Sequence, residues 1–195
     1  MPRKAGSHAE LTGPRITEAA ERLFAVHGYA AVSMRQIASE VGVQAGALYN
    51  YTPDKQSLLY ELMSSHLQLL MESWLAENRS GTPTERLKTF TEFHIRYHID
   101  RPDAVFIAYM ELRNLTPANF AKIETLRRAY ELELEQILRD GQADRSFVVP
   151  DLRVTTMALL AMLTGVNTWY REDGRLSRAR LESVYWTMVR RMVHI

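Results

Sequence analysis

The sequence contains no cysteine among its 195 residues. Disulfide bonds, thiolate nucleophiles and cysteine-based metal sites are therefore excluded. Long apolar runs are missing too: the most apolar stretch, residues 157–166, is interrupted by Thr164 and Gly165 and is shorter than the roughly 18 residues of a membrane-spanning helix. Residues 1–13 are polar and lack the apolar core of a signal peptide. We therefore expect a cytoplasmic protein without a membrane partner.

An excess of either charge is also absent, since 24 Lys and Arg face 23 Asp and Glu, for a net charge of +1. Bulk charge therefore neither indicates nor excludes nucleic-acid binding. The sequence shows no nucleophile–base pair, glycine-rich phosphate loop or carboxylate pair at a useful spacing. We predict that the protein is not an enzyme and needs no cofactor.

The secondary-structure pattern is helical throughout. Apolar residues recur with the helical period in every clearly periodic segment, and strand-like alternation is limited to residues 147–149. The sequence predicts an all-α protein of about nine helices. We expect a flexible tail over residues 1–11, a three-helix head over 12–56 and a larger helical body over 57–195.

Capping signals define the helices of the head. Ser33 with Gln36 three residues later forms a capping-box pattern that opens the second helix. The first helix is predicted to begin at about Pro14, and Gly28 and Gly42 are predicted to end the first and second helices. Thr52 is predicted to cap the fourth helix, with Pro53 at its first position.

The short segment between Gly42 and Lys55 has few apolar residues and many polar ones. Two helices joined by a tight, glycine-containing turn are typical of a helix-turn-helix, whose second helix enters the DNA major groove. In that arrangement amide side chains read base edges, hydroxyls and cations contact phosphates, and small residues let the backbone approach. The predicted DNA-binding residues are Ser33, Arg35, Gln44, Ala45, Gly46, Tyr49, Asn50, Tyr51 and Lys55. By itself the pattern also fits a small helical bundle with a polar face.

Three stretches of the head, "AAERLFAVHGY", "SMRQIASEVGV" and "GALYNYTPDKQSLL", stand in the order and spacing of one known family. They closely resemble the N-terminal domain of the tetracycline-repressor (TetR) family of bacterial regulators. The resemblance implies a homodimer that binds a palindromic operator on double-stranded DNA. It also implies DNA contacts by Arg35, Gln44, Ala45, Tyr49, Asn50 and Lys55. One departure is Thr52, where the family commonly has Phe.

The resemblance implies that the body forms the dimer and binds a small-molecule effector. The eighth predicted helix, about 151–171, is apolar nearly all round, and the ninth, about 178–193, carries an apolar stripe. We expect these two helices to pair with their copies in a second subunit. The alternative is that the stripes are buried within one chain. The predicted interface residues are Ala158, Ala161, Gly165, Leu181, Val184, Tyr185, Met188 and Met192.

Aromatic and methionine residues cluster in the first half of the body. They predict an apolar cavity with a few polar groups, although the same residues are also typical of an ordinary core. Arg113 is a candidate partner for an acidic ligand group, or else a surface charge or a partner of Glu111 or Glu124. The predicted ligand-binding residues are Phe93, Tyr97, Phe106, Tyr109, Met110, Arg113, Tyr130 and Trp169.

The stretch "VNTWYREDGRLS", residues 166–177, resembles TetR-type regulators of fatty-acid and acyl-CoA metabolism. It implies an acyl-CoA or fatty-acid-like effector, with Arg171, Arg175 and Arg178 near its phosphates. The alternatives are a plain helix end with solvated arginines, a regulator of multidrug or aromatic effectors, and a helical ligand-binding protein that has lost DNA binding.

His94 and His98 are spaced as zinc ligands on one helix can be. The sequence offers no further ligand cluster, and His94 shares a face with Phe90 and Tyr97. We therefore predict pocket-lining or hydrogen-bonded histidines and no metal.

Overall fold

The structure is a computed structural model that describes residues 6–193, and the side chains of residues 12–193 among them. Its described residues form nine α-helices and no strand, which confirms the all-α prediction. The helices are α1 Gly6–His27, α2 Met34–Val41, α3 Ala45–Leu48, α4 Lys55–Ala76, α5 Pro83–Ile99, α6 Pro102–Met110, α7 Pro117–Ala143, α8 Leu152–Thr164 and α9 Arg178–Met192. Short 3₁₀ turns cover Tyr29–Ala31, Leu112–Asn114 and Gly165–Thr168.

The chain divides into two compact units. The first comprises the residues up to Leu67 together with Asp103–Glu124, and the second comprises Gln68–Pro102 together with the residues from Thr125 onwards. The first unit thus includes most of α6 and the start of α7 beside the predicted head. The sequence, in contrast, predicts a boundary at residues 56–57.

In the first unit, helix α2 begins and ends at the residues that the capping signals predict. The Ser33 side chain accepts the N–H of Gln36, and the Gln36 side chain accepts the N–H of Ser33. Gly42 ends α2 in the left-handed conformation at φ 77°, which a glycine adopts without strain. Arg15 of α1 donates to the carbonyl of Val41 at 2.9 Å and so holds the end of α2. These contacts position α3 directly after α2.

Two predicted helix starts are wrong. Helix α1 begins at Gly6, so residues 6–11 of the predicted tail are helical and Pro14 lies inside the helix; residues 1–5 lie outside the described residues. Helix α4 begins at Lys55, because Asp54 caps it by accepting the N–H of Ser57 at 2.6 Å. Thr52, predicted as the cap, is buried and donates to the Asp54 carbonyl.

The core of the second unit is built around α5. The Trp74 ring lies 5.0 Å from the Phe90 ring and 5.5 Å from the Phe93 ring, and Phe90 also contacts Tyr130 at 5.3 Å. A capping box of Thr82 and Glu85 starts α5. The packed aromatic rings fill the interior of this unit.

Candidate functional site

Helices α2 and α3 present a polar surface in the first unit. Leu48 is fully buried and anchors α3, whereas Gln44, Tyr49 and Asn50 are exposed. Arg35 on α2 is exposed as well. The structure therefore brings a planar amide, a phenol and a guanidinium to the outside of one helix-turn-helix.

Gly46 lies in α3 with open space around it. A methyl group added at this position would meet no protein atom within 4 Å. The packing of the chain therefore does not explain a glycine here, although glycine costs about 0.5–1 kcal/mol in a helix. A glycine at this position is explained physically if another molecule must approach the surface of α3 closely.

Three further predicted residues lie on this surface, namely Ser33, Ala45 and Tyr51. Each is either less exposed than Tyr49 or already hydrogen-bonded within the chain. The Ser33 hydroxyl is exposed but is engaged by Gln36, to which it donates at 2.8 Å. Ala45 is half-buried. Tyr51 is 40% exposed, and its ring lies near Gly13 of α1. Their predicted roles in DNA contact stay predictions.

Lys55 points inward, which the sequence did not indicate. Its ammonium donates to the carbonyls of Tyr29 at 2.8 Å and Val32 at 2.7 Å and lies 4.1 Å from the centre of the Tyr29 ring. Burial lowers the pKa of Lys55, and the nearby Glu111 acts in the opposite direction. Only one of the three ammonium N–H groups remains for a phosphate.

Glu111 holds the same turn from a distant part of the sequence. Its buried carboxylate accepts the backbone N–H of Tyr29 at 3.0 Å and an amide N–H of Asn114. The Gln56 amide donates to the Asn114 carbonyl at 2.7 Å and to the Tyr29 hydroxyl at 3.0 Å. We call this cluster of Tyr29, Lys55, Gln56, Glu111 and Asn114 the Glu111 latch. It ties the segment after α6 to the turn that precedes α2.

A second feature of the first unit is an acidic pocket of about 460 Å³ between α1 and the start of α4. Glu18, Glu21 and Glu61 line it. Burial raises the pKa of Glu21, and the charges of Asp103 and Glu18 raise it further. The sequence analysis missed this cluster, because Glu61 and Asp103 lie far from α1 along the chain.

The eight predicted ligand-binding residues are divided between the two units. Phe106, Tyr109, Met110 and Arg113 belong to the first unit, where Phe106 and Met110 are 41% and 53% exposed. In the second unit Phe93, Tyr97 and Tyr130 are buried in the core, while Trp169 is 49% exposed. Their role in ligand binding stays a prediction.

The two histidines of α5 are buried and hydrogen-bonded. His94 contacts the Tyr130 hydroxyl at 3.1 Å and the Thr164 hydroxyl at 3.0 Å through its two ring nitrogens. His98 stacks on His94 at 3.8 Å and contacts its carbonyl at 2.8 Å. Among residues 12–193, no group of three or more His, Asp or Glu side chains is arranged to hold a metal ion.

An open pocket of about 300 Å³ lies in the second unit, after α8. We call it the 169–176 pocket; its lining residues are Trp169, Tyr170, Arg171, Gly174, Arg175 and Leu176. Arg178, predicted to approach phosphates with Arg171 and Arg175, is instead paired with Asp100 at 2.6 Å and with Glu172. The guanidinium of Arg178 is therefore directed toward these two carboxylates.

Helices α8 and α9 leave one apolar face uncovered. On α8 the exposed residues Val154, Met157 and Ala161 follow one helical stripe that continues to Gly165. Methyl addition at Gly165 would meet no atom within 4 Å. The sequence analysis missed Val154 and Met157, although their spacing from Ala161 was a usable signal.

On α9 the predicted stripe combines two faces. Leu181 and Tyr185 are buried with Val189 within the unit, and their assignment to an interface stays a prediction. The i, i+4, i+8 spacing of these three residues turns them inward. Met188 is 42% exposed, and Val184, Met192 and Ala158 are half-buried. These residues remain available to a partner.

Two family models match the chain in succession. Residues 16–62 match the model described as bacterial regulatory proteins of the tetR family, and residues 80–193 match the tetracyclin repressor-like C-terminal domain. The chain belongs to the TetR family. Helices α1 to α3 and the start of α4 are therefore the helix-turn-helix domain of a TetR-family protein, as predicted.

Individual TetR-family proteins align over nearly the whole chain. The HTH-type transcriptional repressor KstR2 of Mycolicibacterium smegmatis is 27% identical over 178 residues, which is 89% of this chain and 86% of KstR2. The regulator PfmR of Thermus thermophilus is 30% identical and superimposes with a TM-score of 0.81 over 91% of this chain and 97% of its own. AibR in complex with isovaleryl coenzyme A and operator DNA superimposes with a TM-score of 0.80 at 23% identity, over 93% and 98% of the two chains.

The family membership establishes the class of function. The protein is a ligand-responsive, DNA-binding transcription regulator, and TetR-type regulators are not enzymes. None of the helices that the structure describes is long and apolar enough to cross a bilayer.

Proposed function

We propose that this TetR-family regulator is a repressor that binds a palindromic operator as a homodimer and is released by an acyl-CoA or fatty-acid-like effector. The observation that carries the DNA contact is the exposed polar face of α3, on which Gly46 has open space around it. A regulator bound to operator DNA acts in the cytoplasm of a bacterium.

The residues of α2 and α3 divide into base-reading and phosphate-binding groups. The Gln44 amide, at the start of α3, is placed to read a base edge in the major groove. Tyr49 and Tyr51 supply hydroxyls for phosphates, and the first-turn N–H groups of α2 after Ser33 supply backbone donors. Arg35 adds a cation on the same side.

The dimer uses the exposed face of α8 with the outer face of α9. An apolar stripe of Val154, Met157 and Ala161 on a helix surface is unfavourable in water and is typical of an interface core. Gly165 at the end of the stripe permits close helix approach. Two copies of α8 and α9 together form a four-helix bundle.

The effector class is supported by the 169–176 pocket. It combines an exposed Trp169 with the exposed guanidinium groups of Arg171 and Arg175, a combination suited to a ligand with aromatic and anionic parts. AibR, whose fold is similar, is known in complex with isovaleryl coenzyme A. Release follows if the effector binds the DNA-free conformation more tightly than the DNA-bound one.

The test is fluorescence anisotropy with duplexes that tile the DNA next to the protein's own gene, with and without a panel of acyl-CoA thioesters. We expect tight, salt-sensitive binding to one duplex and release by one thioester. Binding that no thioester disturbs would reject the effector class and retain the regulator.

A second candidate effector is an uncharged aromatic compound. The exposed ring of Trp169 in the 169–176 pocket favours it, because a flat aromatic ligand can stack on such a ring. Release of the same duplex by planar aromatic compounds, and not by thioesters, would support this alternative.

A further inference from the structure

Trp169 in the 169–176 pocket is exposed and yet held in place. Half of its surface is open to solvent, while its ring stacks on Tyr185 at 6.5 Å with an interplanar angle of 18°. Burial raises the pKa of the Tyr185 phenol. A tryptophan fixed from one side and open on the other is a platform on which a flat heterocycle can stack.

Two cations of the same pocket are not neutralised by the neighbouring acids. Arg178 takes up the carboxylates of Asp100 and Glu172. Among the described residues no ion pair involves Arg171 or Arg175, both of which are exposed. The Arg171 side chain donates one bond, to the preceding carbonyl. The exposed Asp173 is the remaining acid of the turn, so the pocket keeps a positive balance.

The backbone between the two arginines is a tight turn. The N–H of Gly174 donates to the Arg171 carbonyl at 3.0 Å. A side chain at Gly174 would come within 2.9 Å of that carbonyl oxygen, so the turn excludes one. The two guanidinium groups are therefore carried by a compact loop next to Trp169 and can bind phosphate oxygens in bidentate fashion.

We propose that the 169–176 pocket binds the nucleotide end of a coenzyme A-type effector, with the purine on Trp169 and the phosphates at Arg171 and Arg175. This inference rests on the proposed function and specifies which end of the effector is bound there. The volume of about 300 Å³ lies at the lower end of ligand pockets, about 300–1,000 Å³. The pocket therefore holds one end of such a molecule and leaves the acyl chain to the rest of the protein.

The experiment titrates the full-length protein with 3′-phosphoadenosine 5′-diphosphate, which is the nucleotide end of coenzyme A, by calorimetry. The Arg171→Gln, Arg175→Gln double variant is expected to bind roughly tenfold or more weakly, because charge-assisted hydrogen bonds are lost. The control is the Lys88→Gln, Arg145→Gln double variant, which removes the same charge from exposed positions away from the pocket. Unchanged affinity in the arginine double variant would overturn the proposal.

Tryptophan fluorescence gives a second readout. Quenching by the nucleotide is expected to disappear in Trp169→Phe and to persist in Trp186→Phe. Equal binding of ADP, which lacks the 3′-phosphate, would overturn the assignment to coenzyme A. So would a Trp169 that iodide cannot quench in the native protein, since the ring would then be covered by a second copy.

Operator binding, measured on the same samples, distinguishes failure of the nucleotide-binding pocket from failure of the proposed function. If a thioester releases the operator equally from the wild type and from the arginine double variant, this inference fails and the proposed function stands. If no thioester releases the operator although the nucleotide binds in an Arg171- and Arg175-dependent way, the pocket stands and the effector part of the proposed function fails.

Discussion

The carboxylate of Glu111 accepts the backbone N–H of Tyr29 at 3.0 Å, across 82 positions of sequence. The bond lies within the first unit and joins the segment after α6 to the turn in front of α2. Since Ser33 and Arg35 follow that turn directly, the position of α2 depends on the Glu111 latch.

Replacement of Glu111 tests the latch. Glu111→Ala leaves the N–H of Tyr29 without its acceptor and is expected to lower the free energy of unfolding by about 1–3 kcal/mol. Glu111→Gln keeps an acceptor oxygen and is expected to cost clearly less. Urea unfolding measures both changes, and equal losses in the two variants would show that the Tyr29 bond is not the stabilising element.

Gly46→Ala separates folding from DNA binding. Alanine is the better helix former, so we expect the free energy of unfolding to rise by about 0.5–1 kcal/mol. We expect operator affinity to fall roughly tenfold or more, because a methyl group forced into a close contact costs about 1–3 kcal/mol. Thermal unfolding and anisotropy measure the two effects. A variant with unchanged operator affinity would remove Gly46 from the DNA contact.

Met157→Glu tests the proposed dimer. A charge placed at the centre of the apolar stripe on α8 is expected to shift the protein from dimer to monomer and to weaken operator binding. Sedimentation velocity measures the first effect and anisotropy the second. The matched control is Val148→Glu, an exposed apolar residue outside α8 and α9, which should leave the dimer intact. A dimeric Met157→Glu protein would place the interface elsewhere.

Glu21→Gln tests the acidic pocket through the pH dependence of stability. Because the folded protein raises the pKa of Glu21 above the usual 4.5, the folded state holds this proton more tightly than the unfolded state does. Stability is therefore lost as the pH rises from 4.5 through the raised pKa. We expect Glu21→Gln to increase the melting temperature at neutral pH, with the difference vanishing below about pH 4. A difference that does not change with pH would contradict the electrostatic origin.

The sequence predicted a helix end correctly where a single local hydrogen bond or one glycine sets that end. The capping box at Ser33 and the helix-ending Gly42 are found as predicted. At α4 two candidate caps compete within three residues. Asp54 takes the position because its carboxylate reaches Ser57, while Thr52 is buried.

Contacts between distant segments were beyond sequence reasoning. Lys55 points inward because the carbonyls of Tyr29 and Val32 lie within reach of its ammonium group. The spacing of apolar residues in the sequence does not predict the position of these carbonyls. The division of α9 into a buried Tyr185 and an exposed Met188 depends likewise on which neighbour covers each face. The family resemblance supplied the function class without either detail.

The backbone conformation of Gly28 restricts this position to glycine. Its φ of 80° suits glycine alone among ordinary residues, and a side chain there would lie 3.5 Å from the Glu111 carboxylate. A descendant that loses the carboxylate must find another acceptor for the turn, and a descendant that loses the glycine must rebuild the turn itself.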